Sequence, residues 1–228
     1  MESAVIVGSI LLAFGIDAGW DERGQRIEES EELNRLETEF RSNLAEFSGD
    51  IPVLEMLHGR VERLLAGLEA APDGAEVVFP DSIVSSLLFV PIWEPEAGVS
   101  GALVASGRIS LLRDRDLVQT MAAWESRVQN TVENQRRART LYVDEVLPHL
   151  RVGHDVVDLL RNRYLNLPGL EPDAPSPPQR SGDTSLRNTG ELRNLVAQFY
   201  LFSGLALRSA RAAVAETEVV LESFPTSR

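Results

Sequence analysis

Between Arg26 and about Ser48 the apolar residues Leu33, Leu36, Phe40, Leu44 and Phe47 recur three and four positions apart, with Glu, Asn and Arg between them. That period places them on one stripe of a helix reaching back into the opening of the chain. The tripeptide "SGD" at 48–50 predicts a break, since Ser48 or Asp50 suits a helix cap and Pro52 suits a first turn. Leu54, Leu57, Val61, Leu64, Leu65 and Leu68 form a second stripe that ends before the turn signal "APDGAE". Two helices joined by so short a link predict an antiparallel hairpin.

The middle of the chain is less regular. "DSIVSSLLFV" lies between Pro80 and Pro91. A helix capped by Asp81 fits it better than a strand, although periodicity does not decide so short a run. "EAGVSGALVASGRISLLRDRDL" reads as a helix of small residues stopped near Gly107 and followed by a turn. From Asp114, the residues Leu117, Met121, Trp124, Val128, Val132, Ala138, Tyr142 and Val146 keep a near-heptad stripe that Gln135 interrupts. A helix over Arg115 to Leu147 would be about 50 Å long at ~1.5 Å per residue. Pro148 should kink or end it, for want of an amide hydrogen.

A helical pattern resumes through "DVVDLLRNRYLNL" and gives way to a Pro-rich loop at 168–184. Thr184 or Ser185 is then placed to cap a last helix carrying Leu192, Val196, Phe199, Phe202 and Ala206. The fold class is all-α: an elongated helical bundle of about four long helices plus one or two short ones. Its N-terminal helix is continuous with a membrane anchor. Residues 1–20 form the anchor and 21–228 the bundle, with no internal repeat.

The anchor rests on "AVIVGSILLAFGIDAGWDERGQRIEESEEL". As a helix, Ala4 to Ile16 rises about 20 Å and Ser3 to Trp20 about 27 Å, against a hydrocarbon core of ~30 Å. No basic residue precedes the run and no small-x-small site follows it, so a secretory signal peptide fits poorly. Trp20 suits a membrane interface. Asp17 stands at the end of the run, a poor place for a proton-carrying intramembrane carboxylate. The competing reading is a buried helix of a soluble bundle.

Composition removes function classes. A formal net charge of −13 argues against nucleic acid, which needs clustered cationic side chains. The 22 basic residues are all arginine and are scattered. The absence of cysteine excludes disulfides, thiolate catalysis and cysteine metal sites.

Candidate chemistry is sparse. Glu145 and His149 stand four apart, near His154, Asp155 and Asp158, a spacing that can hold a divalent metal on a helix face. Solvated polarity around Pro148 is the simpler reading. His58 has only Glu55 and Glu62 nearby at that spacing. Glu28, Glu29, Glu31 and Glu32 read as a solvated charged face, and "NQRRART" as arginines salt-bridged locally. Trp93 reads as a loop packing residue and Trp124 as core. No nucleophile elbow and no phosphate-binding glycine loop occurs. The sequence therefore assigns no catalytic residue, no cofactor and no metal.

Two segments, "VGSILLAFGIDAGWDERGQRIEESEELNRLETEFRSNL" and "SGALVASGRISLLRDRDLVQTMAAWESRV", resemble an uncharacterised family of bacterial single-pass membrane proteins. The resemblance implies a helical domain tethered to the bacterial inner membrane, on its extracytoplasmic side, and implies no activity. Members carry a basic, aromatic leader where this chain has only Met1, Glu2 and Ser3, so residues ahead of Met1 are expected. Arg23 and Arg26, the nearby positive charges, favour the opposite orientation. The function expected is that of a non-enzymatic scaffold or accessory subunit acting on a protein partner. Self-association is expected through the small-residue face of Gly15 and Gly19. The alternative is a bundle that senses a small ligand and signals through a partner.

Overall fold

The structure, a computed structural model, describes residues 2–154, 156, 157, 159 and 182–225, without the side chains of 2–15 and 18. The expected helix over 155–167 and the loop over 168–181 thus lie almost wholly outside the described residues. Among the described residues the chain is mostly helical, at 81%, with one small two-stranded sheet, so the all-α class holds as the coarse description. It divides into two compact units, Met1–Asn43 with Glu96–Ala123 and Thr217–Arg228, and Leu44–Pro95 with Trp124–Glu216.

Helix α1 runs without interruption over Glu2–Ala70, with Pro52 inside it. The break expected at "SGD" does not occur, and neither does the hairpin built on it. A proline within a helix costs about 3 kcal/mol. Here the residues on either side, Phe47, Val53, Leu54 and Leu57, are all buried. Burial of one such side chain contributes ~1.5–3 kcal/mol, so continuing the helix outweighs the lost backbone bond.

In the first unit, Leu36 and Phe40 of α1 are buried with Leu103, Leu112, Leu117, Met121 and Val220. The Phe40 and Phe224 rings lie 6.1 Å apart. Helix α2 (Asp81–Val84) belongs to the other unit; α3 (Gly98–Ala105) lies in this one and stops before Gly107, near which the sequence placed a stop and a turn, and whose φ of 74° is left-handed.

Polar groups hold the 96–113 segment to α1. Glu39, 5% exposed, accepts the Val99 and Ser100 amide hydrogens at 2.6 and 3.2 Å and so caps α3 from another helix. Asn43 pairs with Glu96 in both directions: its Nδ2 donates to the Glu96 carbonyl at 2.9 Å, and its Oδ1 accepts the Glu96 amide at 2.8 Å. Glu29 accepts the Arg113 amide at 2.7 Å, and Arg108 reaches Glu32 at 3.1 Å. The solvated acidic face expected at 28–32 is therefore only partly solvated: Glu32 is buried, because it turns toward Arg108.

In the second unit α1 ends at a cap supplied from far along the chain. Asn188 Nδ2 donates to the carbonyls of Ala71 and Pro72 at 2.8 and 3.0 Å. Its backbone closes on Gly74 and Ala75. Strands β1 (Glu76–Pro80) and β2 (Asp183–Arg187) flank this junction and pair antiparallel, Val77 opposite Leu186 and Phe79 opposite Thr184. The sequence reading misses both strands. Each buries a single side chain, Phe79 or Leu186, too little to show as alternation.

Thr184 and Ser185 lie in β2 and cap nothing. Thr189 does, its Oγ1 accepting the Leu192 amide at 3.1 Å at the start of α6 (Gly190–Glu222). "DSIVSSLLFV" forms the short α2 and a 3₁₀ turn, Ser85–Leu88, without a side-chain cap from Asp81. That carboxylate instead accepts the Thr184 hydroxyl at 2.6 Å.

Helix α4 (Arg115–Leu141) starts where predicted, with Asp114 Oδ1 accepting the Asp116 and Leu117 amides at 3.0 Å. A π-helical turn, Tyr142–Val146, then leads into α5 (Leu147–Gly153), which holds Pro148 in its first turn. The wider turn accommodates a residue that has no amide hydrogen and whose ring would crowd the carbonyl four residues back. The core of this unit gathers Val61, Leu64 and Leu68 of α1 with Leu88, Leu141, Leu150, Leu186, Val196 and Phe199. Trp93 stacks on Phe47 at 4.1 Å and 6°, and its amide donates to Gln135 Oε1 at 2.9 Å. Gln135 interrupts the apolar stripe of α4 because a backbone donor arrives there needing an acceptor.

Candidate functional site

A concave surface with converging polar groups lies in the second unit, where the end of α5 meets β2 and the first turn of α6. A cavity of about 390 Å³ is lined by Leu150, Leu186 and Leu192 and by the polar groups of His149, His154, Arg187, Thr189 and Glu191. A second hollow of about 530 Å³ shares Gly153, His154 and Arg187 with it and continues along β2 past Thr184 and Ser185 to Glu76 and Asp183. Local folding explains the convergence. Gly153 ends α5 and leaves His154 extended, at φ −137° and ψ 148°. Strand alternation turns Leu186 inward and Arg187 outward. Glu191 occupies the acid-favouring first turn of α6.

His149 Nδ1 lies 3.3 Å from Glu191 Oε1. Asp155 and Asp158 lie outside the described residues. Among the described residues no group of three or more His, Asp or Glu side chains is placed to hold a metal ion.

His58 is held elsewhere in the same unit. Its ring stacks on Tyr200 of α6 at 4.6 Å and 13°, and Nδ1 lies 2.9 Å from Ser203 Oγ. Glu55, its candidate neighbour, pairs with Arg211 at 2.6 Å. The "NQRRART" segment behaves as expected where Arg137 bridges to Glu133 at 3.3 Å. Trp93 and Trp124 are buried, and Trp20 is 71% exposed. A Cβ added at Gly19 would meet nothing within 4 Å, while Gly15 lies outside the described side chains. Among the described residues no helix is long and apolar enough to cross a membrane.

The residues that sequence reasoning missed are Glu39, Asn43, Asn188 and the Tyr200–Ser203 turn. Glu32, Glu39 and Asn43 carried a readable signal, since they sit seven and four apart beside the apolar stripe of Leu36 and Phe40. Asn188 carried none, because its partners are 117 and 116 positions away.

Comparison with protein-family models, with curated proteins and with solved structures gives no match for this chain. The likeness to bacterial membrane-anchored helical proteins rests on the two quoted segments alone.

Proposed function

We propose that the protein is a non-enzymatic helical scaffold or accessory subunit, packed as an elongated bundle and tethered to the bacterial inner membrane by its first twenty residues. Its business is contact with a protein partner and with a second copy of itself. The observation that carries this reading is the continuity of α1: one helix joins the apolar opening to the buried leucines at 54–68.

Fractionation of cells with an alkaline carbonate wash tests the tether. The full chain is expected in the washed membrane pellet and a chain lacking residues 1–20 in the supernatant. Recovery of the full chain in the first soluble fraction would refute the tether, and a monomer at micromolar concentration in mild detergent would refute self-association. Crosslinking before fractionation then identifies the partner.

One observation favours a second reading, the sensing of a small ligand. The cavity of about 390 Å³ at His149, His154 and Arg187 combines an apolar lining with a few converging polar groups, as ligand sites do. Thermal stabilisation by a member of a metabolite panel, abolished by Leu186→Trp, would support it; no shift across the panel would remove it.

A further inference from the structure

We propose that α1 carries a lipid-binding face just beyond its apolar opening, where Ile16, Trp20, Arg23 and Ile27 lie against the surface of an anionic bilayer. Helix α1 is continuous over Glu2–Ala70, so its turn sets the direction of each side chain along it. At about 100° per residue, Ile16, Trp20 and Ile27 fall within one arc of about 40°. Glu32, Leu36, Phe40 and Asn43, all buried, point about 140–220° away from the middle of that arc. The arc is therefore on the side of α1 that its own unit leaves bare. Ile16 is 52%, Trp20 71% and Ile27 54% exposed.

Charge selects the occupant. Arg23 borders the arc between Trp20 and Ile27, about 20° from its edge. Asp21, Glu22, Glu29 and Glu32 lie on the far half of the helix, and Asp17 and Glu28 about a quarter-turn to one side. Arg26 turns away to Glu22 at 2.5 Å. Glu31 is the first acid beside the arc and marks its end. In a chain of net charge −13, an apolar stripe whose own charge is an arginine suits an anionic surface. Trp20 takes the headgroup layer, and the Arg23 stem lies along the apolar boundary with its guanidinium on phosphate. A second copy suits the face less well. A parallel pair sets Arg23 on Arg23, and an antiparallel pair sends the two apolar openings in opposite directions. The proposal rests on the tether proposed above, which brings the arc to the membrane.

The chain has no cysteine, so Ile27→Cys and Glu28→Cys each give the full chain a single site for a nitroxide label. The two sites stand at nearly the same height on α1 and about 100° apart around it. The labelled chains are reconstituted into vesicles of phosphatidylcholine with phosphatidylglycerol. Collision of each label with oxygen, which enters lipid, is compared with collision with a water-soluble nickel chelate. The oxygen-to-nickel ratio is expected several-fold higher at 27 than at 28. That excess should shrink in phosphatidylcholine alone and in Arg23→Glu. Equal ratios on vesicle-bound chains overturn the proposal and leave the tether standing, whereas a chain that stays off the vesicles overturns both. Lipid shielding at 27 on a chain that an alkaline wash strips from the vesicles supports the face and removes the tether alone. An excess that Arg23→Glu leaves undiminished overturns the proposal, and so does dipolar broadening between labels at 27, which would give the face to a second copy.

Discussion

The ring of Phe79 lies against the backbone of Gly67, where a Cβ would stand 2.6 Å from Cε1 and 2.7 Å from Cζ. Glycine at this point of α1 makes room for the one side chain that β1 buries. Gly67→Ala should therefore destabilise the protein by about 1–3 kcal/mol through overpacking, despite the better helix propensity of alanine. Gly59→Ala, where an added Cβ meets nothing within 4 Å, is expected to stabilise by roughly 0.5–1 kcal/mol. Urea unfolding of both variants reads the contrast; equal signs would contradict it.

Glu39 caps α3 across space with one carboxylate on two amides. Glu39→Ala should cost about 1–3 kcal/mol, because both amides lose a charged acceptor in a buried setting. Glu39→Gln keeps an acceptor oxygen and should cost less. Limited proteolysis between 96 and 113 is the sensitive assay, with cleavage fastest in the alanine variant.

Asn188 satisfies the carbonyls of Ala71 and Pro72, just past the end of α1, and it is completely buried. Asn188→Ala leaves those carbonyls without their side-chain donor, at a cost of about 1–3 kcal/mol. Loss of amide-exchange protection should appear at 71–75 and 183–187 before it appears elsewhere in this unit.

The carboxyl of Asp50 is half-buried, and burial pushes its pKa above the ordinary 3.8, with the Trp93 indole hydrogen drawing it part of the way back. A carboxyl of this kind favours the folded state when protonated, so its contribution is lost as pH rises through the folded value. Asp50→Asn should raise the melting temperature at pH 7 and give a progressively smaller gain as pH falls toward 3.8. A gain that grew on acidification would reverse the assigned sign.

Helices with long apolar stripes were legible in the sequence, and so was much of what they bury. Leu36, Phe40, Trp124 and Val128 are core, and α4 begins at Arg115, because each follows from a local period and a local cap. Misreadings arose where a distant group decided the outcome. Pro52 and Gly49 looked like a break because the residues that bury the neighbouring side chains are far away in sequence. Thr184 looked like a cap until β1 claimed it as a strand residue opposite Phe79. The cavity at His154 and Arg187 was not readable either, since Arg187 comes from a strand that exists only through pairing with residues 76–80.

The polar groups of α1 that face the 96–113 segment also carry information about register. Glu29, Glu32, Glu39 and Asn43 are fixed teeth along a helix, and Arg113, Arg108, Val99 and Glu96 engage them in reverse order along the chain. Sliding the segment by one helical turn would part each of these polar groups from its partner, three carboxylates and the Asn43 amide. The acidic run at the start of the protein thus works as a key: it admits the 96–113 segment in one direction and at one setting.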